Sequence, residues 1–211
     1  MADQTTPYPA TLEVDYPDRK LNRLTSFFRV FVVIPIAIVL ALVSGAPSWG
    51  GENSSWQGVI AAGGVLFLPA LLMILFRQKY PRWWFDWNVN LVKFSSRVST
   101  YFCLLSDTYP SSDEEQSVHI TIAYPDVKTD LKRGMPLVKW FLAIPHYIVL
   151  CALGIAAWVV TIIAWFAILF TGRYPRGMFN FVVGVGRWCL RVSAYAFLLT
   201  TDRYPPFSLQ A

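Results

Sequence analysis

The stretch FRQKYPRWWFDWNVNLVKFSSRVSTY at residues 76–101 returns in altered form as FTGRYPRGMFNFVVGVGRWCLRVSAY at residues 170–195. Phe76, Tyr80, Pro81, Phe85, Arg97 and Tyr101 reappear as Phe170, Tyr174, Pro175, Phe179, Arg191 and Tyr195, all at one offset of 94 residues. Self-similarity at fixed spacing is the mark of a repeat. Further towards the N-terminus the offset changes to 110 for Pro35 and Pro145, and to 108 for Tyr16-Pro17 and Tyr124-Pro125. The jump places an insertion around SGAPSWGGENSSWQG (residues 44–58) in the first half alone. After the repeated stretch, Asp107-Thr-Tyr-Pro answers to Asp202-Arg-Tyr-Pro at an offset of 95. The expectation is two repeats, 1–112 and 113–211.

Composition sets the medium. The 211 residues are 55% hydrophobic and only 15% charged, with mean hydropathy +0.43. Soluble domains carry about 25% charged residues. Disorder, a disulfide scaffold and most soluble enzymes are thereby disfavoured. Cys103, Cys151 and Cys189 have no metal-like spacing and lie in apolar segments, as small packing residues do. A polar N-terminal stretch with Asp3, Glu13, Asp15 and Asp18 precedes the first apolar run, so that run reads as a permanent anchor rather than a cleaved signal.

Each repeat opens on an alternating, strand-like segment, TLEVDYP (11–17) or VHITIAYP (118–125). Spans are expected at about 24–43 and 59–76 in the first half. The second half has 35 almost continuously apolar residues, 136–170, which as one helix would reach about 52 Å and overshoot a bilayer core of about 30 Å. Mapping the insertion predicts two legs, 136–152 and 155–170, joined by a tight turn near Leu153-Gly154. The third helix of each repeat, 82–105 and 176–200, is expected to lie in the membrane interface, with Asp86, Asn90, Lys93 and Arg97 on one stripe and Arg187 and Arg191 at the matching positions. The expected fold class is thus an all-α integral membrane protein of two parallel tandem repeats. Each is a short extended segment, a transmembrane helical hairpin and an amphipathic interfacial helix, and the extended segments pair at the axis relating the halves.

Charge sidedness supports that layout. With interfacial third helices all 18 Lys and Arg fall on one side, whereas spanning ones would move Lys128, Lys132, Arg133, Arg173 and Arg176 to the other. Positive residues mark the cytoplasmic side. The expected location is a multi-pass protein with both termini cytoplasmic. The competing layout makes the third helices line a path, as in a small channel or transporter.

No CxxC, HExxH, phosphate loop or Ser/His/Asp grouping occurs, and no catalytic residue, metal or cofactor is expected. His119 lies in an alternating segment. His146, beside Pro145 in an apolar run, reads mainly as a packing residue. Lys93, Arg97, Arg187 and Arg191 are candidates for contact with lipid headgroups or a partner, at roughly 1 kcal/mol for each near-surface cation. Asp86, Asp107 and Asp202 are candidate structural ion-pair partners. The expected function is a non-enzymatic accessory or scaffold subunit that contacts membrane lipids, other membrane subunits or its own copies, and no nucleic acid.

PLVKWFLAIPHYIVL (136–150) followed by FAILFTGRYPRGMFNFVVGVGRWCLRVSAYAFLLTTDRYPPF (166–207) resembles a bacterial family of integral membrane proteins, the domain of unknown function 4389. The resemblance extends over nearly the whole chain and implies two tandem copies in a bacterial inner membrane. It is strongest in the second half. The first half departs from it at FRQKYPRWWFDWNVN (76–90) and in the added loop. It carries over no reaction, ligand or catalytic residue.

Overall fold

The structure, a computed structural model, describes residues 8–17, 21–44, 65–127, 131–132 and 134–210. The chain forms β1 (Ala10–Val14), α1 (Arg23–Phe27) and α2 (Arg29–Ser44), then α3 (Val65–Leu72), which runs into a π-helical turn, Met73–Arg77. It continues through α4 (Arg82–Phe102), β2 (Val118–Ile122), α5 (Met135–Leu142), α6 (Ile144–Thr171) and α7 (Arg176–Ala196). The inserted loop from Gly45 onward and the start of the span expected at 59–76 fall outside the described residues.

The Tyr-Pro dipeptides set helix starts. Pro81 and Pro175 are the N-cap residues of α4 and α7, with the extended ψ that a residue entering a helix adopts. Helices α3 and α6 each stop at a residue in the left-handed region, Gln78 (φ 45°) and Gly172 (φ 73°). Beyond α4 and α7 the chain turns again through left-handed leucines, Leu104 (φ 65°) and Leu199 (φ 55°). Both leucine side chains are buried in cores, which offsets the cost of that backbone.

The all-α expectation is corrected by a two-stranded antiparallel sheet in which β1 pairs with β2, Leu12 opposite Ile120 at its centre. Alternation explains its two faces. Ala10, Leu12, Val118 and Ile120 are buried against Leu190 and Ala194 of α7, while Thr11, Glu13 and Thr121 face outward.

The hairpin expected in the second half is corrected as well. Helix α6 runs unbroken through Leu153-Gly154, and the interruption falls at Ala143. One glycine without proline, asparagine or aspartate beside it does not make a turn, and an apolar helix that keeps every backbone hydrogen bond is the cheaper course. Helix α6 packs antiparallel along the length of α7. Ala143 and Tyr147 meet Tyr195 and Ala196, and Ala164 and Ile168 meet Phe179 and Val183. In the first half, Arg29 at the start of α2 binds carbonyls at the end of α4, whereas Ala70 and Ile74 of α3 pack on Phe85 and Val89 near its start. Helix α2 thus starts where α4 ends, and α3 lies near the start of α4; the segment that joins α2 to α3 falls outside the described residues.

The layers are the sheet, then α4 and α7, then the apolar helices. Among the described residues one helix, α6, is long and apolar enough to cross a membrane.

Candidate functional site

Buried cations organise the molecule. Arg29, placed at the first residue of α2, donates from Nη1 to the carbonyls of Tyr101 (2.9 Å) and Ser106 (2.5 Å). Its Nη2 pairs with Asp107, and its guanidinium lies over the Tyr101 ring, 4.3 Å from the centroid. Asp107 Oδ2 also accepts the backbone N–H of Asn22 at 2.7 Å. The second half repeats this with lysine. Lys139, 0% exposed, places Nζ 2.8 Å from Asp202 Oδ1 and 2.7 Å from the Thr201 carbonyl, over the Tyr195 ring at 5.2 Å. Asp202 Oδ2 accepts the N–H of Lys132 at 2.8 Å. A buried charge persists only when paired and hydrogen-bonded, and both are.

The tyrosines tie one half to the other. Tyr16 donates to the Tyr174 carbonyl at 2.5 Å, and Tyr124 donates to the Tyr80 carbonyl, also at 2.5 Å. Arg176 covers the Tyr16 ring and Arg82 the Tyr124 ring, while Phe179 and Phe85 meet the same two rings edge-on. Leu21 of the first half lies in the core around α6, and Leu131 of the second half lies in the core around α3. Burial raises the Tyr80 and Tyr174 hydroxyls well above their ordinary range, so both stay neutral, and that of Tyr80 donates to the Leu198 carbonyl at 3.0 Å.

A cavity of about 470 Å³ sits between α4 and α7 beneath the sheet, lined by Leu12, Ser95, Ser99, Gly186, Cys189 and Ser193 among others.

Arg97 and Arg191, proposed from sequence as headgroup contacts, are buried and bind the chain itself. Arg97 donates to the carbonyls of Ser111 and Ser112, and Arg191 to those of Ser208 and Gln210. Each fixes the strap that follows its helix, and burial lowers the Arg191 pKa from its ordinary value. Arg187 Nε donates to the Leu12 carbonyl at 2.9 Å, fastening α7 to β1. Lys93 is half-buried near Glu115, whose pKa it helps lower. Asp86 is exposed, apart from the two buried pairs. Asp107 and Asp202 sit at equivalent places, each against a buried cation.

Arg29 and Lys139 were missed from the sequence. Their signal was present: each stands six residues before Pro35 or Pro145, a basic residue inside an apolar run, at the same offset of 110. His146 is fully buried, accepts the Trp188 indole N–H at Nδ1 (3.1 Å) and stacks on Phe207 at 4.0 Å. His119 is half-exposed between Glu115 (3.1 Å) and Asp15 (3.2 Å); those hydrogen bonds, Glu115 foremost, raise its pKa. Among the described residues no group of three His, Cys, Asp or Glu is placed to hold a metal ion.

Residues 135–208 match the family model described as Domain of unknown function (DUF4389), which supports the resemblance of the second half to that family. The matched segment begins with α5 and ends in the strap after α7. No curated protein and no solved structure matches the chain.

Proposed function

We propose that the protein is a non-enzymatic membrane scaffold or accessory subunit, two copies of one repeat, which holds anionic lipid on the cytoplasmic face of a bacterial inner membrane. The observation that carries this is the outer layer. Leu24, Phe31, Leu42, Phe141, Ile155 and Phe170 are among many large apolar side chains exposed on α1, α2, α5 and α6. An apolar surface this extensive needs a cover. Exposed basic residues flank it in two groups, Arg23, Arg173 and Arg176 at one end and Arg77, Lys79 and Arg82 at the other.

The tandem arrangement is supported by the contacts that recur at offsets of 94, 95, 108 and 110, down to the four left-handed residues. Lipid binding moves from the stripe of Lys93, Arg97, Arg187 and Arg191 to these end groups, because three of the four stripe residues hold backbone carbonyls of the chain itself.

The test is lipid co-purification in mild detergent. Reversing charge at Arg77, Lys79 and Arg173 together should strip anionic lipid, each cation being worth roughly 1 kcal/mol. Retention of wild-type anionic lipid by that variant counts against the proposal. A second reading, a small channel or transporter, draws on the cavity lined by α4 and α7. Solute flux in proteoliposomes, abolished by filling the cavity with Ser99→Trp, would favour it.

A further inference from the structure

Helix α6 starts beside one ion anchor and ends beside the other. Its N-terminal end follows α5, which carries Lys139 of the Lys139–Asp202 pair. At its far end the Gly172 carbonyl accepts the N–H of Leu21, next to Asn22 on Asp107. If the two anchors are counterparts across a two-fold axis, the line between them is perpendicular to that axis, and so is α6. The antiparallel strands agree, for the axis that exchanges them passes through the Leu12–Ile120 pair and exchanges Ala10 with Val118 and Val14 with Ile122.

Two orientations in a membrane remain, and two observations separate them. With the axis in the membrane plane, α6 and α7 cross together. The sheet packs on the middle of α7, where Leu12 lies against Gly186 and its carbonyl takes Arg187. Crossing would put a two-stranded sheet with open edges and outward Thr11, Glu13 and His119 at mid-bilayer depth, where unpaired backbone is not tolerated. Crossing would also split the two exposed basic groups, Arg23, Arg173 and Arg176 from Arg77, Lys79 and Arg82, between the two sides, against the positive-inside rule. With the axis along the membrane normal both conflicts vanish. The basic groups share one interface, the polar sheet face points to water and the apolar layer points into lipid.

We infer that the chain is monotopic: α2 and α6 lie flat within one leaflet, and the protein does not cross the bilayer. The occupant of the exposed apolar face is the acyl region of that leaflet. Ile148, Ile155, Ile162, Phe166 and Phe170 form one uncharged stripe along the whole exposed side of α6. That helix is 28 residues, about 42 Å, longer than a core of about 30 Å, while its girdle of about 10 Å fits inside the roughly 15 Å of one leaflet. Arginines at the stripe's end meet anionic headgroups at its rim.

The inference rests on the membrane reading above, and the experiment separates the two. The wild-type protein is reconstituted in aligned bilayers of zwitterionic and anionic phospholipid, and helix orientation is read from polarised infrared dichroism of the amide I band. Because α4 runs alongside α2 and α7 alongside α6, most of the helical signal shares one tilt. Dichroism of helices parallel to the bilayer plane is the expected result. Helices along the normal, with the protein fully bilayer-bound, would overturn the monotopic placement and leave the scaffold reading standing. Protein that stays in the aqueous phase would overturn both.

Discussion

At the scale of single residues, the two aspartates carry more than surface carboxylates do. Asp202 faces a lysine with no solvent exposure, so Asp202→Ala leaves an uncompensated buried cation. Breaking such a pair costs about 3–5 kcal/mol, whereas replacing both partners by apolar groups is near neutral. Asp202→Ala should therefore unfold at markedly lower denaturant in detergent micelles, and Lys139→Met with Asp202→Ala should recover most of the loss. If the double variant is no better than the single one, the aspartate matters for its bond to Lys132 N–H and not for the pair. His119 gives a different signature. Its folded pKa is raised by Glu115 and Asp15, so its stabilising effect is complete below the ordinary histidine value of about 6.5 and is lost as pH rises through the elevated one. The wild type should lose slightly more thermal stability than His119→Gln between about pH 6 and pH 8. The difference stays small because the side chain is 43% exposed.

At the scale of elements, α6 distinguishes a continuous helix from a hairpin. Gly154 lies in mid-helix with nothing within 4 Å of where a Cβ would stand. Gly154→Ala should stabilise the protein by about 0.5–1 kcal/mol, as expected in a helix interior and opposite to the effect in a tight turn. A fall in melting temperature would restore the hairpin. Much of the architecture was legible because it is local. The Tyr-Pro boundaries, the period-two strands and the amphipathic helices of residues 82–102 and 176–196 all follow from spacing. What sequence did not yield is relational. A loop in one half does not say whether the other half turns at the matching place, and it is packing along α7 that carries α6 straight through Leu153-Gly154. The arginine stripe is relational likewise: periodicity puts Arg97 and Arg191 on one face, but the straps whose carbonyls they bind are not encoded in it.

At the scale of the whole molecule, the halves are exchanged rather than side by side. Strand β1 lies on α7, Tyr16 reaches Tyr174, Leu21 enters the core around α6, and the Trp165 indole donates to the Ser26 carbonyl. Residues 113–211 alone would thus leave α6, α7 and strand β2 without partners. A second copy supplies them, because β2 occupies the same place relative to α4 as β1 does to α7. Two copies paired antiparallel about Ile120 would set Tyr124 of each on Tyr174 of the other. The half-chain 113–211 should accordingly run as a homodimer in detergent. Thr121→Pro removes a ladder donor next to its centre, because the bonds Asp15 N–H to Ser117 and Ala123 N–H to Pro9 put Thr121 opposite Thr11 in a hydrogen-bonded pair; it should dissociate that dimer and should weaken the full chain less, since its two halves are covalently joined. A monomeric, folded half-chain would mean that the contacts between halves are incidental to folding. The family match ends within one such unit, residues 135–208. If the chain is two such units, as proposed, their fusion removes the concentration dependence of pairing, and it allows one copy to carry an insertion that a symmetric dimer would have to carry twice.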